Sequence, residues 1–416
     1  MTTLCFRDAN LVDVRRGEIV RRSVVVNDDV IVTVSETADD LPQQASETIE
    51  ATDLYLCPGL IDCHVHFFLD AGNAPRSTFI EADDETRIGW AKENARIAIE
   101  AGITTMRDLA APAPLMFEFQ RQVAKGDVLG PHIISCGYAL MRPQGHCYWL
   151  GGGEVTTVEE VRRYIESHLE QGAGFVKLMA SGGGLTPGTV PHEADLPLEL
   201  MREAAEVAHA NGVQITAHCH ATESIEHAID ARLDMIEHAN FVEPPGRYRY
   251  DEEITLRIRD SGIVVSPTAF GAIQTAKRFR AAGKSHNPGD VAAVERLEGR
   301  LTNTGHFHRL GLKIIGGTDA GATDTHFDAL IDEIICYTEA GLSKTEALRT
   351  VTSDGAAFMD IPNLGEVKEG YRADLTLLTA NPLEDLERLR RPLKVFKAGR
   401  LVHDNTSVRQ SRSNVT

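Results

Sequence analysis

The most constraining feature of this chain is a series of short apolar segments that end in, or contain, a histidine, lysine or aspartate. The first is residues 58–66, which run from a Pro-Gly pair through an apolar stretch to His64 and His66. Side chains alternate between the two faces of a β-strand, so His64 and His66 point to one side and Val65 to the other. Two imidazoles that converge at a strand end are a good beginning for a divalent metal site.

Further strand-like segments repeat the pattern, each with one polar residue: 175–179 with Lys177, 214–218 with His218, 235–238 with His238, and 312–319 with Asp319. They alternate with helical patterns such as residues 84–101, 198–211 and 325–340, which predicts βαβ units around a parallel sheet. In a (β/α)8 barrel, functional side chains lie at the C-terminal ends of the strands, where these residues fall. The sequence therefore predicts an α/β fold of the (β/α)8 TIM-barrel type.

The set His64-x-His66, Lys177, His218, His238 and Asp319, in this order, resembles the binuclear-metal branch of the amidohydrolase superfamily. The resemblance covers nearly the whole chain, because segments near both termini read as short strands with turns. It implies a small β-sandwich domain built from both termini, with the barrel inserted between its halves. The expected boundaries are residues 1–57 and 364–404 for the sandwich, 58–363 for the barrel and 405–416 for a polar tail.

Local sequences narrow the resemblance to the prolidase-like, Xaa-Arg carboxypeptidase-like and imidazolonepropionase-like branch. These are residues 144–146, 177–184, 216–220 and 236–239. Deaminases of the superfamily fit less well, because they place a glutamate soon after the histidine that corresponds to His218. Here the first acid after His218 is Glu223.

The resemblance also implies a ligand for each metal. Lysine is a poor ligand at neutral pH because its ammonium has no lone pair, and the family solves this by carboxylating the lysine with carbon dioxide. A carboxylated Lys177 would bridge two divalent ions, His64 and His66 would bind the buried ion together with Asp319, and His218 and His238 would bind the more exposed ion. We expect zinc, since imidazole and carboxylate suit it, with manganese, cobalt and iron left open.

Such a centre would hydrolyse an amide. Coordination lowers the pKa of water from ~15.7 to roughly 7, so a bridging hydroxide can act as the nucleophile near neutral pH. Asp319 is the expected general base, which passes the proton to the leaving amine. The predicted substrate is a small-molecule amide, either a dipeptide or an N-acyl amino acid. Ring opening of a cyclic amide or imide is the alternative, and a non-catalytic scaffold is disfavoured because every ligand is present.

Several further residues are candidates for contact with the substrate. His146 and Tyr148 lie in a glycine-rich, aromatic segment, and His220 shares a strand face with His218. Arg142 is the candidate to bind a substrate carboxylate. Arg107-Asp108 ends a predicted strand and indicates an internal ion pair, whereas the three glycines at 182–184 indicate close approach of substrate or metal to the backbone.

Composition excludes other classes of partner. The chain has 416 residues and a formal net charge of −19, which argues against binding to nucleic acid or to an anionic membrane surface. Its seven cysteines are scattered without CxxC pairs, as expected for reduced thiols in a cytoplasmic enzyme. The first residues lack the pattern of a signal peptide, and no apolar run approaches the ~20 residues of a membrane span. The resemblance further implies a homo-oligomer.

Overall fold

The structure, a computed structural model, describes residues 2–37, 42, 45–283 and 288–406. The predicted polar tail at 405–416 falls largely outside these residues. The strands of the described part, numbered β1 to β18, are Thr3–Asp13, Glu18–Asn27, Val30–Ser35, Glu47–Glu50, Tyr55–Pro58, Leu60–Val65, Ile103–Asp108, His132–Ser135, Phe175–Met179, Gln214–His218, Met235–Glu237, Val242–Glu243, Arg247–Tyr248, Val264–Ser266, Lys313–Ile314, Leu375–Leu378, Lys394–Lys397 and Arg400–Asp404.

The helices of the described part, numbered α1 to α12, are Pro75–Glu81, Asp84–Glu100, Ala113–Lys125, Val158–Gln171, Leu198–Ala210, Thr222–Asp230, Glu252–Ser261, Ala269–Ala281, Pro288–Arg309, Leu330–Glu339, Lys344–Thr350 and Ser353–Phe358. Two short 3-10 helices span Tyr148–Leu150 and Leu386–Arg390. Within the described ranges, no helix combines the length and the apolar character that crossing a bilayer requires.

Local sequence explains where several helices begin and end. The side chain of Thr157 accepts a hydrogen bond from the backbone of Glu160, and Glu160 accepts one in return, so a capping box starts α4. Gly172 ends the same helix in the left-handed conformation, which glycine adopts without the steric penalty of a Cβ. Ser343 and Glu346 start α11 in the same way as α4. These signals position the helices that cover the sheets.

Strands from both ends of the chain form one sheet, in the order β18-β17-β16-β5-β1-β2-β3, with β4 paired to β1. Its hydrophobic core is separate from the main core and includes Phe6 and Phe396, whose rings pack edge to face 5.2 Å apart. The strands on either side of the central region thus lie in one sheet, as the sequence suggests. The division of the chain into two domains remains a prediction.

The central region contains two parallel sheets that together supply eight strands. One has the order β6-β7-β8 and the other β9-β10-β11-β14-β15. Single parallel bridges join the sheets at both edges, Leu140 to Leu178 on one side and Val65 to Ala320 on the other. The mixed α/β class is confirmed. A closed (β/α)8 barrel remains a prediction, which these two bridges support.

Continuous burial explains the sequence of the central strands. Every residue of β6, β7 and β9 is buried, as expected for parallel strands covered by helices on the outer face. The predicted helices at 84–101 and 198–211 are confirmed as α2 and α5. The helix predicted at 325–340 begins later, at Leu330, because residues 321–325 form a loop in which Gly321 N donates to Thr325 O.

Candidate metal centre

The ends of five central strands meet at one cavity of about 350 Å³. All six predicted ligands line it: His64, His66, Lys177, His218, His238 and Asp319. The strands β6, β9 and β10 carry or directly precede four of them, His238 follows β11 at once, and Asp319 lies five residues beyond β15. Residues that are far apart in the sequence are therefore brought together as the strand-end argument predicts.

The first group of candidate ligands is His64, His66 and Asp319. Nε2 of His64 and Nε2 of His66 lie 3.4 Å and 3.2 Å from Oδ1 of Asp319. Nδ1 of His64 donates to Glu237, 2.9 Å away, and Nδ1 of His66 donates to the carbonyl of Ala110. Each Nε2 then directs its lone pair toward Oδ1 of Asp319. Because these three atoms are all acceptors, a cation between them would stabilise the arrangement.

The electrostatic surroundings of this group favour a positive charge beside Asp319. Burial opposes ionisation of Asp319, yet His64, His66 and Arg300 hold its pKa well below the usual range. Burial likewise disfavours a charged His66, but the neighbouring Asp319 raises the pKa of that imidazole overall. A divalent ion bound here would compensate the negative charge of Asp319, as a proton on His66 otherwise does.

The second group of candidate ligands consists of His218, His220 and His238, which are all buried. Their ring centroids lie 4.2 Å to 4.8 Å from one another. Nδ1 of His238 is hydrogen-bonded to Oγ1 of Thr268 at 2.7 Å, which fixes the orientation of the ring. Burial lowers the pKa of all three imidazoles, so they are neutral and able to bind metal.

Lys177 lies on β9 and also lines the cavity, with 1% of its surface exposed. Burial lowers the pKa of its amine below the ordinary value, although the negative charges of Glu237 and Asp319 oppose this. Within the described ranges its amine forms no hydrogen bond or ion pair. A buried amine without a partner and with a lowered pKa is suited to react with carbon dioxide, since only the neutral amine is nucleophilic.

A buried network beneath the cavity holds His64 in place. Glu237 is fully buried and accepts hydrogen bonds from His64, from Thr216 and from Arg107, with which it forms an ion pair at 2.8 Å. The predicted internal ion pair of Arg107 is therefore present, but its partner is Glu237 and not the adjacent Asp108. Asp108 instead accepts a hydrogen bond from the backbone of Phe67. Sequence reasoning missed Glu237 although it directly precedes His238.

The backbone is strained at two of the candidate ligands. His238 has φ of 71° and Asp319 has φ of 62°, in the left-handed region that residues other than glycine seldom adopt. Strain of this kind is kept where surrounding structure enforces it, often at functional sites. For Asp319 the enforcement is visible, because Asp62 accepts hydrogen bonds from the backbone and hydroxyl of Thr318 and so anchors this segment to β6.

His146 and His220, both predicted to contact the substrate, line the cavity. The His146 ring lies 4.7 Å from that of His218, and burial lowers the pKa of His146 to about 4. A Cβ at Gly183 would lie 2.4 Å from the ring of His146, so a side chain there would displace that ring. Gly184 lines the cavity, and the close approach of substrate or metal to residues 182–184 stays a prediction.

The structure places two predicted substrate contacts outside this cavity. Arg142 does not line it, and its guanidinium pairs with Asp195 at 3.1 Å. Tyr148 also lies outside the cavity and packs against the main hydrophobic core. The nearby Trp149 is held by its indole hydrogen bond to Thr186. The arginines that do line the cavity are Arg278, Arg296 and Arg300, from α8 and α9.

Fold and site together define an α/β protein whose parallel strands bring histidines, a lysine and an aspartate into one cavity with metal-ligand geometry. The amidohydrolase family model matches residues 55–402, and the chain belongs to this family. The predicted resemblance to the amidohydrolase superfamily is thereby confirmed. Family membership supports a general activity of amide hydrolysis, and the residues present fit divalent metal ions.

Known proteins of similar sequence and structure agree with this assignment. Ochratoxinase of Aspergillus niger is 27% identical, over 92% of this chain and 84% of that protein. The structure of a prolidase complexed with N-methylphosphonate-L-proline aligns with a TM-score of 0.83 at 27% identity, over 97% of this chain and all of the other. The structure of a Xaa-Pro dipeptidase with bound methionine aligns with a TM-score of 0.86 at 23% identity, over 96% and 99%, which supports the fold alone.

Proposed function

We propose that this protein is a binuclear-metal amidohydrolase that cleaves the amide bond of a dipeptide or an N-acyl amino acid. The observation that carries the proposal is the meeting of all six predicted ligands at one cavity. Its volume of about 350 Å³ lies within the range of small-molecule sites. The prolidase that was solved with N-methylphosphonate-L-proline is 27% identical to this chain and supports a substrate that contains an amino acid.

Each ligand has a proposed role. His64, His66 and Asp319 would hold one ion and His218 and His238 the other, with a carboxylated Lys177 between them. Zinc is the proposed metal because the ligands are imidazoles and carboxylates. Bound divalent ions would polarise the substrate carbonyl and make hydroxide available near neutral pH.

Side chains of the protein would perform the proton transfer and contact the substrate. The carboxylate of Asp319 lies in the cavity beside His64 and His66, where it would accept the proton of the attacking water and deliver it to the leaving nitrogen. His146 is buried against His218 and directed into the cavity, where it would contact the reacting carbonyl group. His220 lies 4.2 Å from the ring of His218 and would contact the substrate beside the metals.

Cyclic amides are the second candidate substrates, because ring-opening hydrolases of the family use the same metal scaffold. A direct test is amine release from a library of dipeptides, N-acyl amino acids and cyclic amides, with protein reconstituted with zinc and bicarbonate. A variant carrying both His64→Ala and His66→Ala serves as the control for contaminating hydrolases. We expect turnover of the linear acids by the wild type only.

Each result has a defined meaning. Turnover of linear acids that the control variant lacks would support the proposal. Activity confined to cyclic amides would replace it with the ring-opening alternative. A protein that binds two equivalents of zinc and cleaves none of these compounds would overturn the proposed hydrolysis of linear amides.

A further inference from the structure

The outer wall of the cavity carries three arginines, and they differ in how their charge is balanced. All come from two helices that pack against each other, α8 with Arg278 and α9 with Arg296 and Arg300. Two of them, Arg296 and Arg300, are one helical turn apart and so lie on the same face of α9. A positively charged wall faces the candidate ligands across the cavity.

Arg278 is already neutralised by the protein. Its guanidinium forms an ion pair with Asp324 and donates a hydrogen bond to Asn73 at 2.6 Å. These contacts connect α8 to the loop after Asp319 and to the segment after β6. Arg278 therefore holds the mouth of the cavity together, and its charge is not available to a ligand.

Arg300 is buried and only partly satisfied. It is 8% exposed, and one terminal nitrogen donates to the hydroxyl of Thr268 at 2.8 Å and to its carbonyl at 3.1 Å. Its Nε is buried and has no hydrogen-bond partner. A buried guanidinium with an unpaired donor is unfavourable unless an anion reaches it.

Arg296 has no partner at all within the described part of the chain. It forms no ion pair or hydrogen bond there, although it lines the cavity and packs close enough to Arg300 for their charges to repel. Burial lowers the pKa of both guanidinium groups, that of Arg300 to about 10, so both stay charged at neutral pH. Two adjacent positive charges that line one cavity favour the binding of an anion.

The nearby acids cannot provide that counterpart. The carboxylates that act on Arg300 are Asp319 and Glu333. Asp319 belongs to the candidate ligand set, where its oxygen faces His64 and His66. Glu333 accepts hydrogen bonds from the backbone of Ala269 and Phe270 at the start of α8, both at 2.7 Å. Both acids are thus engaged elsewhere, and the arginine pair remains unbalanced.

We propose that Arg296 and Arg300 form an anion subsite that binds the free carboxylate of a linear substrate. The inference depends on the proposed amide hydrolysis for the identity of that substrate, whereas the subsite itself can be tested without turnover. Arg300 is fixed through Thr268, which also contacts His238, so the subsite has a defined position relative to the candidate ligands. The charges of both arginines act on the imidazole of His220, whose buried Nδ1 has no hydrogen-bond partner.

This subsite would make the enzyme select acids over amides. A substrate with a free carboxylate can satisfy the unpaired donors of the arginines, and the C-terminal amide of the same compound cannot. Loss of one charge-assisted hydrogen bond corresponds to about 10- to 100-fold in affinity. Arg296 and Arg300 of α9 would then select the substrate, whereas the sequence suggested Arg142 for this role.

The test compares Arg296→Met with a matched control, Arg280→Met. Arg280 lies on α8, is largely exposed and pairs with Glu298, so the control removes the same charge from the same pair of helices outside the cavity. Calorimetry with zinc-loaded protein measures binding of N-methanesulfonyl-L-leucine, a non-hydrolysable acid, and of its C-terminal amide. Arg296→Lys tests whether a different cation at this position retains part of the preference.

We expect Arg296→Met to weaken binding of the acid about 10- to 100-fold and binding of the amide less than about 3-fold. The control should bind both compounds as the wild type does, and Arg296→Lys should fall between. Equal losses for acid and amide, or no loss for either, would overturn the subsite. Arginine-dependent preference for the acid in a protein that hydrolyses no linear amide would keep the subsite and refute the proposed function.

Discussion

Replacing Glu237 with glutamine tests the buried network beneath the candidate metal centre. Burial opposes ionisation of Glu237, but its contacts with His64 and Arg107 lower its pKa from 4.5 to about 2, which corresponds to about 3 kcal/mol in favour of the charged form. Glu237→Gln removes this charge and leaves Arg107, which is 2% exposed, without a counter-ion. Breaking a buried pair typically costs about 3–5 kcal/mol, in agreement with that value.

The same substitution weakens the support of His64, and partners of metal-binding histidines typically contribute about 10- to 100-fold in metal affinity. We therefore expect Glu237→Gln to lose about 3 kcal/mol of unfolding free energy in urea and to bind zinc about 10- to 100-fold more weakly in competition with a chromophoric chelator. Thr216→Val, which removes only one hydrogen bond to Glu237, should cost about 1 kcal/mol. Stability and zinc affinity both within error of the wild type would refute this account of the network.

Three further substitutions test separate parts of the structure. Arg142→Met should change kcat/KM for a linear acid and for its amide by the same factor, because Arg142 pairs with Asp195 outside the cavity; a selective loss for the acid would restore it as the carboxylate contact. Asp319→Asn should lower kcat by about 10²- to 10⁴-fold, and normal turnover with normal metal content would exclude it as the general base. Burial lowers the pKa of His168 from 6.5 to about 4, so the unfolded chain binds a proton more readily below pH 6.5 and stability falls as the pH drops toward 4. Between pH 7 and pH 5, the wild type should therefore lose up to about 2 kcal/mol more unfolding free energy than His168→Phe, as measured by urea unfolding. Identical pH profiles of the two proteins would contradict this.

The ligands could be predicted because each is marked by its own short segment. His64 and His66 share a strand face through the period of two, and Lys177 interrupts an otherwise apolar strand. The order of these residues along the chain and their positions at strand ends predict a single site. Neither feature depends on the conformation of the loops. The same argument predicts Asp319, although the strand before it is only two residues long.

The cavity wall could not be predicted, because it depends on contacts between distant segments. Arg142 is close in sequence to His146, but the chain turns its side chain toward Asp195. Arg296 and Arg300 lie in a polar helix, and nothing in its local pattern indicates that it packs over the cavity. The partner of Arg107 is Glu237, 130 residues away, whereas the adjacent Asp108 was the more obvious candidate in the sequence.

The most direct test of the central claim is a zinc titration of metal-free protein, with amine release from the best linear acid measured at each step in the presence of bicarbonate. The account predicts that activity rises with bound zinc and saturates at two ions per chain. It also predicts that Lys177→Met, which removes the amine that would be carboxylated, binds fewer than two zinc ions tightly and has little activity. Full activity in metal-free protein, or full activity of the Lys177 variant, would contradict it.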